Sequence, residues 1–339
     1  MVLALSGNPP NSAVAVNAAV NAELAANWTP LALGAGAPFR NYLLNGQFNV
    51  LQRGSGPWTA TTFGPDRWNI QINGDSASAV ITGLADADRT AIGDEAAEYG
   101  LLYAVTGAST SGNYTVFVQN TEDVRRLSNK TVTLSFWAKA SAAVSLGVRA
   151  YQYFGTGGTP SAEIIVGPYA FSLTTSWARY SQTFTFASAS GKTLGTNTDH
   201  STGVEFALSS GTANASAFGV GAQSATFTFW GLQLEVGASA SPVEKRPVGV
   251  ELALCQRYYQ AGFLAGESYQ AAGYVMLIAS ALPVAMRATP TATITTNTSS
   301  NIGTPTIASN GGTTVQIAGT VSASAQTNII CNYTLSADL

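Results

Sequence analysis

Histidine occurs once in this chain, at His200, so a Ser-His-Asp relay would have to run through it. Its surroundings, residues 196–203, are Thr, Asn, Asp, Ser and Gly and read as a polar loop, with no Gly-x-Ser-x-Gly elbow anywhere in the chain. Two cysteines, Cys255 and Cys331, with one histidine are too few for a zinc cage. They either pair across the C-terminal region or remain buried thiols, the commoner fate of free cysteine. Ca²⁺ needs only oxygen ligands, which singles out the acidic cluster Asp86, Asp88, Asp94 and Glu95; a solvated acidic loop is the more common form of such a cluster. There is no EF-hand pattern and no phosphate-binding Gly-Lys-Ser/Thr loop, so no cofactor is expected. Glycoside hydrolysis requires two carboxylates facing each other at about 5–9.5 Å. The acids inside the strand cores, Glu163, Glu205 and Glu235, are sparse, and nothing in their spacing brings two together. No enzyme is expected.

Sugar binding suits the residues better. Sugars stack their apolar faces on aromatic rings and leave their hydroxyls to polar side chains. The polar faces of two candidate strands offer Trp137 with Lys139, and Arg149 with Tyr151 and Tyr153. The competing reading places these rings under a loop, an N-terminal arm or a neighbouring subunit.

These side chains need strands to hold them. In 131–139, Val132, Leu134 and Phe136 alternate with Thr133, Ser135, Trp137 and Lys139, the period of a half-buried strand. In 145–153, Leu146, Val148 and Ala150 alternate with Arg149, Tyr151 and Tyr153. Residues 180–186 and 225–235 repeat the pattern, and Gly- or Ser-rich breaks at 155–158, 190–192 and 210–212 separate the runs. Many short strands between turn signals predict an antiparallel sandwich over 39–246. Pro247 followed by Val250, Leu254 and Tyr258 at helical spacing predicts a linking helix over 247–262, with a strand through 257–259 as the alternative. Residues 263–339 read as a small second β-domain with strands near 274–279, 292–296, 313–318 and 328–335, and a hairpin signal at Asn310-Gly311-Gly312. Residues 1–38, carrying a possible short helix over 12–26, form an arm too small to fold alone.

Composition narrows the class. Asp, Glu, Lys and Arg make up 10% of the 339 residues, against about 25% in ordinary soluble domains. From Tyr269 to Ala337 the only charged residue is Arg287. Such a surface stays soluble through hydroxyls and amides, or is covered in an assembly. No basic run exceeds a pair such as Arg125-Arg126, so nucleic-acid binding has no electrostatic footprint. No apolar run approaches the ~20 residues of a membrane span, and the first ten residues lack the pattern of a signal peptide.

Two segments resemble a known family. Residues 41–54 (NYLLNGQFNVLQRG) followed by Pro65-Asp66-Arg67-Trp68, and residues 229–260 from Phe-Trp-Gly-Leu-Gln-Leu-Glu to Cys-Gln-Arg-Tyr-Tyr-Gln, look like the opening and close of a bacteriophage virion domain, a jelly roll similar to carbohydrate-binding modules. Residues 124–139 and 154–162 fit the same template, so the resemblance covers 41–260. It implies a mainly β protein: an antiparallel jelly-roll sandwich with an N-terminal arm, a linking helix and a C-terminal β-domain. It also implies a trimeric tail fibre or receptor-binding protein on the virion, contacting host surface glycan and joined to other virion proteins through 1–38. The alternative it leaves open is a capsid decoration or head-fibre protein without glycan recognition. Within it, Asp66-Arg67 suggests an ion pair at the entry strand, with Trp68 packing below, and Asn45-Gly46 a positive-φ turn.

Overall fold

The computed structural model describes residues 39–309 and 311–339. Residues 39–339 form a compact unit; the expected arm over 1–38 and its helix lie outside the described residues. The elements follow in chain order: β1 (Thr62–Phe63), β2 (Asn69–Asn73), β3 (Ser76–Gly83), α1 (Asp86–Ile92), β4 (Tyr99–Thr106), β5 (Tyr114–Glu122), β6 (Thr131–Ala140), β7 (Val144–Tyr153), β8 (Ile164–Leu173), β9 (Ala178–Thr185) and β10 (Ser201–Ser210). Then come α2 (Ala215–Phe218), β11 (Ser224–Val236), α3 (Val248–Gln256), β12 (Tyr259–Gln270), β13 (Val275–Ala281), β14 (Thr291–Asn297), β15 (Thr306–Ser309), β16 (Thr314–Thr320) and β17 (Ala325–Ser336).

The protein is mainly β and its first eleven strands make an antiparallel jelly-roll sandwich, as the alternating runs require. One sheet orders its strands β1-β2-β5-β10-β7-β8, the other β3-β4-β11-β6-β9. The inward faces carry the core: Phe117 and Phe206 stack at 4.7 Å between centroids, with Phe136, Phe229 and Trp68 edge-on around them. Each fully buried ring contributes roughly 1.5–3 kcal/mol. In β11 the expected strict alternation fails. Gly231 adopts φ +64° and the register with β6 slips between Trp230 and Gln233. The bulge shifts the phase after Trp230, so Leu232 and Leu234 join Phe227 and Phe229 in the core while Trp230 keeps to the outer face.

The opening motif closes the sandwich in a different way from the one expected. Arg67 does not pair with Asp66; its Nη1 lies 3.5 Å from Asp338 and its guanidinium stacks 3.4 Å from the Tyr258 ring centroid. Asp66 instead accepts from the backbone N–H and side-chain amide of Gln52 at 2.7 and 2.9 Å. Trp68 is fully buried, as expected, and donates to the Asn45 carbonyl at 3.2 Å. Asn45 takes φ +52°, and Gly46 is required because a Cβ there would stand 2.2 Å from the Leu232 carbonyl oxygen.

The linking helix α3 spans Val248–Gln256, shorter than the expected 247–262, because Tyr259 already enters β12 and pairs with Ser336. Beyond it, two three-stranded sheets, β12-β17-β14 and β13-β16-β15, enclose a separate core of Leu264, Met276, Val315, Ile317, Ile329, Cys331 and Leu335. β15 and β16 pair antiparallel about the expected hairpin, whose Asn310 lies outside the described residues. Cys255 and Cys331 are both free and buried. Burial pushes the Cys255 thiol well above its ordinary range. A small set of charges joins the two β units: Arg257 grips Glu122 through two bonds of 2.8 Å, Arg53 pairs with Asp338, and Arg287 donates to the Thr198 carbonyl at 3.4 Å.

Candidate functional site

The five aromatic and basic candidates divide between opposite outer faces of the sandwich. Trp137 and Lys139 lie on β6, in the sheet β3-β4-β11-β6-β9, while Arg149, Tyr151 and Tyr153 lie on β7, in the other sheet. They therefore do not form one site.

On the first face the rings are packed. Trp137 is the cross-strand partner of Trp230, and the two join Trp177, Val243, Leu84, Ile92 and Ala97 in a small core beneath α1. Asp88 of that helix receives Lys139 Nζ at 2.6 Å and Trp177 Nε1 at 2.7 Å. Burial opposes ionisation of Asp88, but these two bonds, with the Ala85 N–H, outweigh it and hold the carboxyl below its ordinary value. The expected acidic loop is thus a helical lid. Asp86 and Glu95 pair with Arg89, and Asp94 with Lys245 at 2.7 Å. All four proposed calcium ligands are taken by the protein's own cations, and no metal-holding group of three or more His, Cys, Asp or Glu occurs among the described residues.

The second face is open, and strand register builds it. Tyr151, Gly203 and Asn120 are paired across β7, β10 and β5; Arg149, Glu205 and Val118 form the row on one side, and Tyr153, Ser201 and Glu122 the row on the other. A Cβ on Gly203 would stand 2.2–2.5 Å from the end of the Tyr151 ring, so the ring lies down across the sheet because position 203 has no side chain. Its hydroxyl donates to Asn120 Oδ1 at 2.7 Å, and burial raises its pKa. Arg149 forms a bidentate pair with Glu205 at 3.0–3.3 Å while its guanidinium rests 4.3 Å from the Phe218 ring centroid. Burial pushes the Glu205 carboxyl up, with Arg149 opposing. Glu163, one residue before β8, completes a depression of about 280 Å³ with Asn120, Arg149, Tyr151, Tyr153, Ser201 and Glu205.

This is a stacking platform ringed by hydroxyl, amide and carboxylate groups, fit to hold a flat, hydroxyl-rich ligand. A larger depression of about 730 Å³ on the opposite sheet is lined by Ser, Thr, Ala and Val with Asp75, and no aromatic ring. Asp75 is occupied there by the Ala108 N–H and the Thr115 hydroxyl, both at 2.9 Å. His200 lies beside Asp123, its Nδ1 3.6 Å from the carboxylate, and takes no part in the platform. Sequence reasoning missed Asn120, Ser201 and Gly203. The only available signal was the lone Gly203 inside a strand pattern, a mark of close approach by another group.

No family model matches the chain and no curated protein matches it. Solved structures do. The enzymatically active domain of tailspike protein 4 of bacteriophage CBA120 aligns at TM-score 0.35 and 13% identity over 59% of this chain, though only 22% of the tailspike chain's length is spanned. The family 11 carbohydrate-binding module of Clostridium thermocellum, in complex with a β-1,3-1,4-mixed-linked tetrasaccharide, aligns at 0.32 and 15% over 54% of this chain and 95% of the module. A putative sugar-binding protein of Bacteroides thetaiotaomicron aligns at 0.35 and 13% over 58% of this chain and 100% of its own. The chain is similar to these in its sandwich outline, and at such scores the likeness carries no argument about a ligand.

Proposed function

We propose that this chain is a structural protein of a bacteriophage virion, a trimeric tail fibre or receptor-binding protein that holds bacterial surface glycan on the Tyr151 platform. The observation that carries the glycan reading is the Tyr151 ring, laid flat over Gly203, pinned to Asn120 and bordered by Tyr153, Ser201, Arg149, Glu205 and Glu163. The virion setting rests on the opening and closing motifs of the sandwich. Association of copies is supported by the second β unit, where Phe263, Tyr269, Tyr274, Val275 and Leu277 are each 50% or more exposed on a surface almost free of charge. Large apolar side chains left exposed on outer sheet faces suit contact with other copies. Residues 1–38 supply the attachment arm. The role is non-catalytic: Glu163 and Glu205 share the depression, yet Glu205 is clamped by Arg149 and no free acid–base pair remains. Among the described residues no helix is long and apolar enough to cross a membrane.

The same exposed apolar side chains also suit a purely structural reading, a capsid decoration or head-fibre subunit without glycan contact. Affinity electrophoresis through bacterial surface polysaccharide separates the two. The glycan reading expects the protein to be retarded, and Tyr151→Ala to weaken retention by about tenfold, some 1.4 kcal/mol. Unchanged migration of the intact protein in every polysaccharide tested overturns it in favour of the structural reading.

A further inference from the structure

The charges around the platform are unequally matched. Arg149 is held by Glu205 through three contacts of 3.0–3.3 Å. Glu122, in the row of Tyr153, is held by Arg257 through two bonds of 2.8 Å. Arg67, which reaches the edge of this region, donates to the Asn120 carbonyl and pairs with Asp338. Arg149, the cation that lines the depression, is therefore neutralised by a carboxylate of the protein. Glu163 is different: it lines the depression, is exposed, and has no salt bridge among the described residues. Its charge is felt within the site, since it acts electrostatically on both Tyr151 and Glu205. Among the groups lining the depression, the ring that would carry the sugar thus faces one unbalanced negative charge. A carboxylate brought close to a fixed carboxylate is disfavoured by like-charge repulsion, and an ammonium is favoured by the opposite interaction.

We propose that the platform selects by charge: it takes neutral and amino-sugar glycans and turns away glycans bearing uronic or sialic acids, with Glu163 the residue that sets the choice. The proposal rests on the glycan reading of the site and gives it a ligand class. Tyr151 supplies stacking for all of these sugars alike; Glu163 supplies the difference between them.

The test is an array of bacterial glycans in neutral, free-amino and uronic- or sialic-acid classes, probed with the full chain and with Glu163→Gln at about 20 and 500 mM salt. The expected result is retention of neutral and amino glycans by the unaltered protein. Relative to neutral-glycan binding, Glu163→Gln should then lower amino-glycan binding about fivefold and raise acidic-glycan binding by a similar factor, the differences shrinking at high salt. Preferential binding of acidic glycans, or class ratios unmoved by Glu163→Gln, overturns charge selection while leaving the glycan reading intact. Absence of binding to every class overturns the glycan reading, and this proposal with it. The melting temperature of Glu163→Gln, expected to be unchanged for an exposed side chain, guards against loss through misfolding.

Discussion

The two outer faces of the sandwich carry the same kind of sequence and end in opposite states. β6 presents Trp137 and Lys139 on alternate positions, and β7 presents Arg149, Tyr151 and Tyr153 in the same way. Above β6, the chain between β3 and β4 folds into α1 and seals Trp137 and Trp230 beneath it, with Asp88 bridging Lys139 and Trp177. Above β7 no helix of the described residues covers the middle rows; α2 covers the end where Phe218 meets Val116, Ala207 and Val220. An aromatic on a polar strand face is thus packing where a connecting segment crosses it and a surface platform where none does.

The contrast can be broken most forcefully at the sealed face. Trp230→Ala should cost about 3–5 kcal/mol of stability, as for other fully buried large aromatics, and Trp137→Ala somewhat less because it is only partly buried. Denaturant unfolding measures both, and glycan retention by the folded fraction should be unaffected. Loss of retention at unchanged stability would make the sealed face the ligand site. An intermediate effect is expected from Gly203→Ala at the open face. The new methyl collides with the Tyr151 ring, lifting it, so retention should fall about tenfold with a stability cost of roughly 1–3 kcal/mol. Retention equal to that of the unaltered protein would remove the ring from the site.

The smallest effect concerns the lid. Because the Asp88 carboxyl is held below its ordinary value in the folded state, its stabilising contribution is present above the usual carboxylate range and is lost as the pH falls below about 4. Asp88→Asn should remove that pH-dependent part and lower stability by about 0.5–1 kcal/mol at neutral pH, discounted for the partial exposure of Asp88 and Lys139. Urea midpoints between about pH 3 and 7 check this, and the tryptophan fluorescence of the sealed cluster reports whether the lid lifts. An identical pH profile for Asp88→Asn and the unaltered protein would refute the bridging role.

Much of the fold was legible in advance because burial acts on alternate residues. The runs at 131–139 and 145–153 gave the inward set Val132, Leu134, Phe136, Leu146, Val148 and Ala150 without any knowledge of their partners, and all six are buried. Short-range signals were less complete. Pro247 and the apolar spacing located α3, but Tyr258 and Tyr259 fit helix and strand alike, and pairing of Tyr259 with Ser336, far away in sequence, decided for strand. The Asp66-Arg67 pair looked natural as neighbours, yet adjacent side chains diverge, and Arg67 found Asp338 and Tyr258.

The candidate site was half legible for the same reason. Sequence alone determined that Arg149, Tyr151 and Tyr153 share a strand face, that the second β unit is nearly without charge, and that ordinary catalytic and metal-binding sets are scarce, because these follow from residue type and a period of two. Only the tertiary structure decided that Trp137 and Lys139 belong to the far sheet under a helix, that Asp86, Asp88, Asp94 and Glu95 are matched by bases, and that Gly203 and Asn120 lie beside Tyr151. Those outcomes depend on which strands pair and which loops cross them, contacts between residues tens to hundreds of positions apart. A local pattern records which way a side chain points, and long-range packing decides what it meets there.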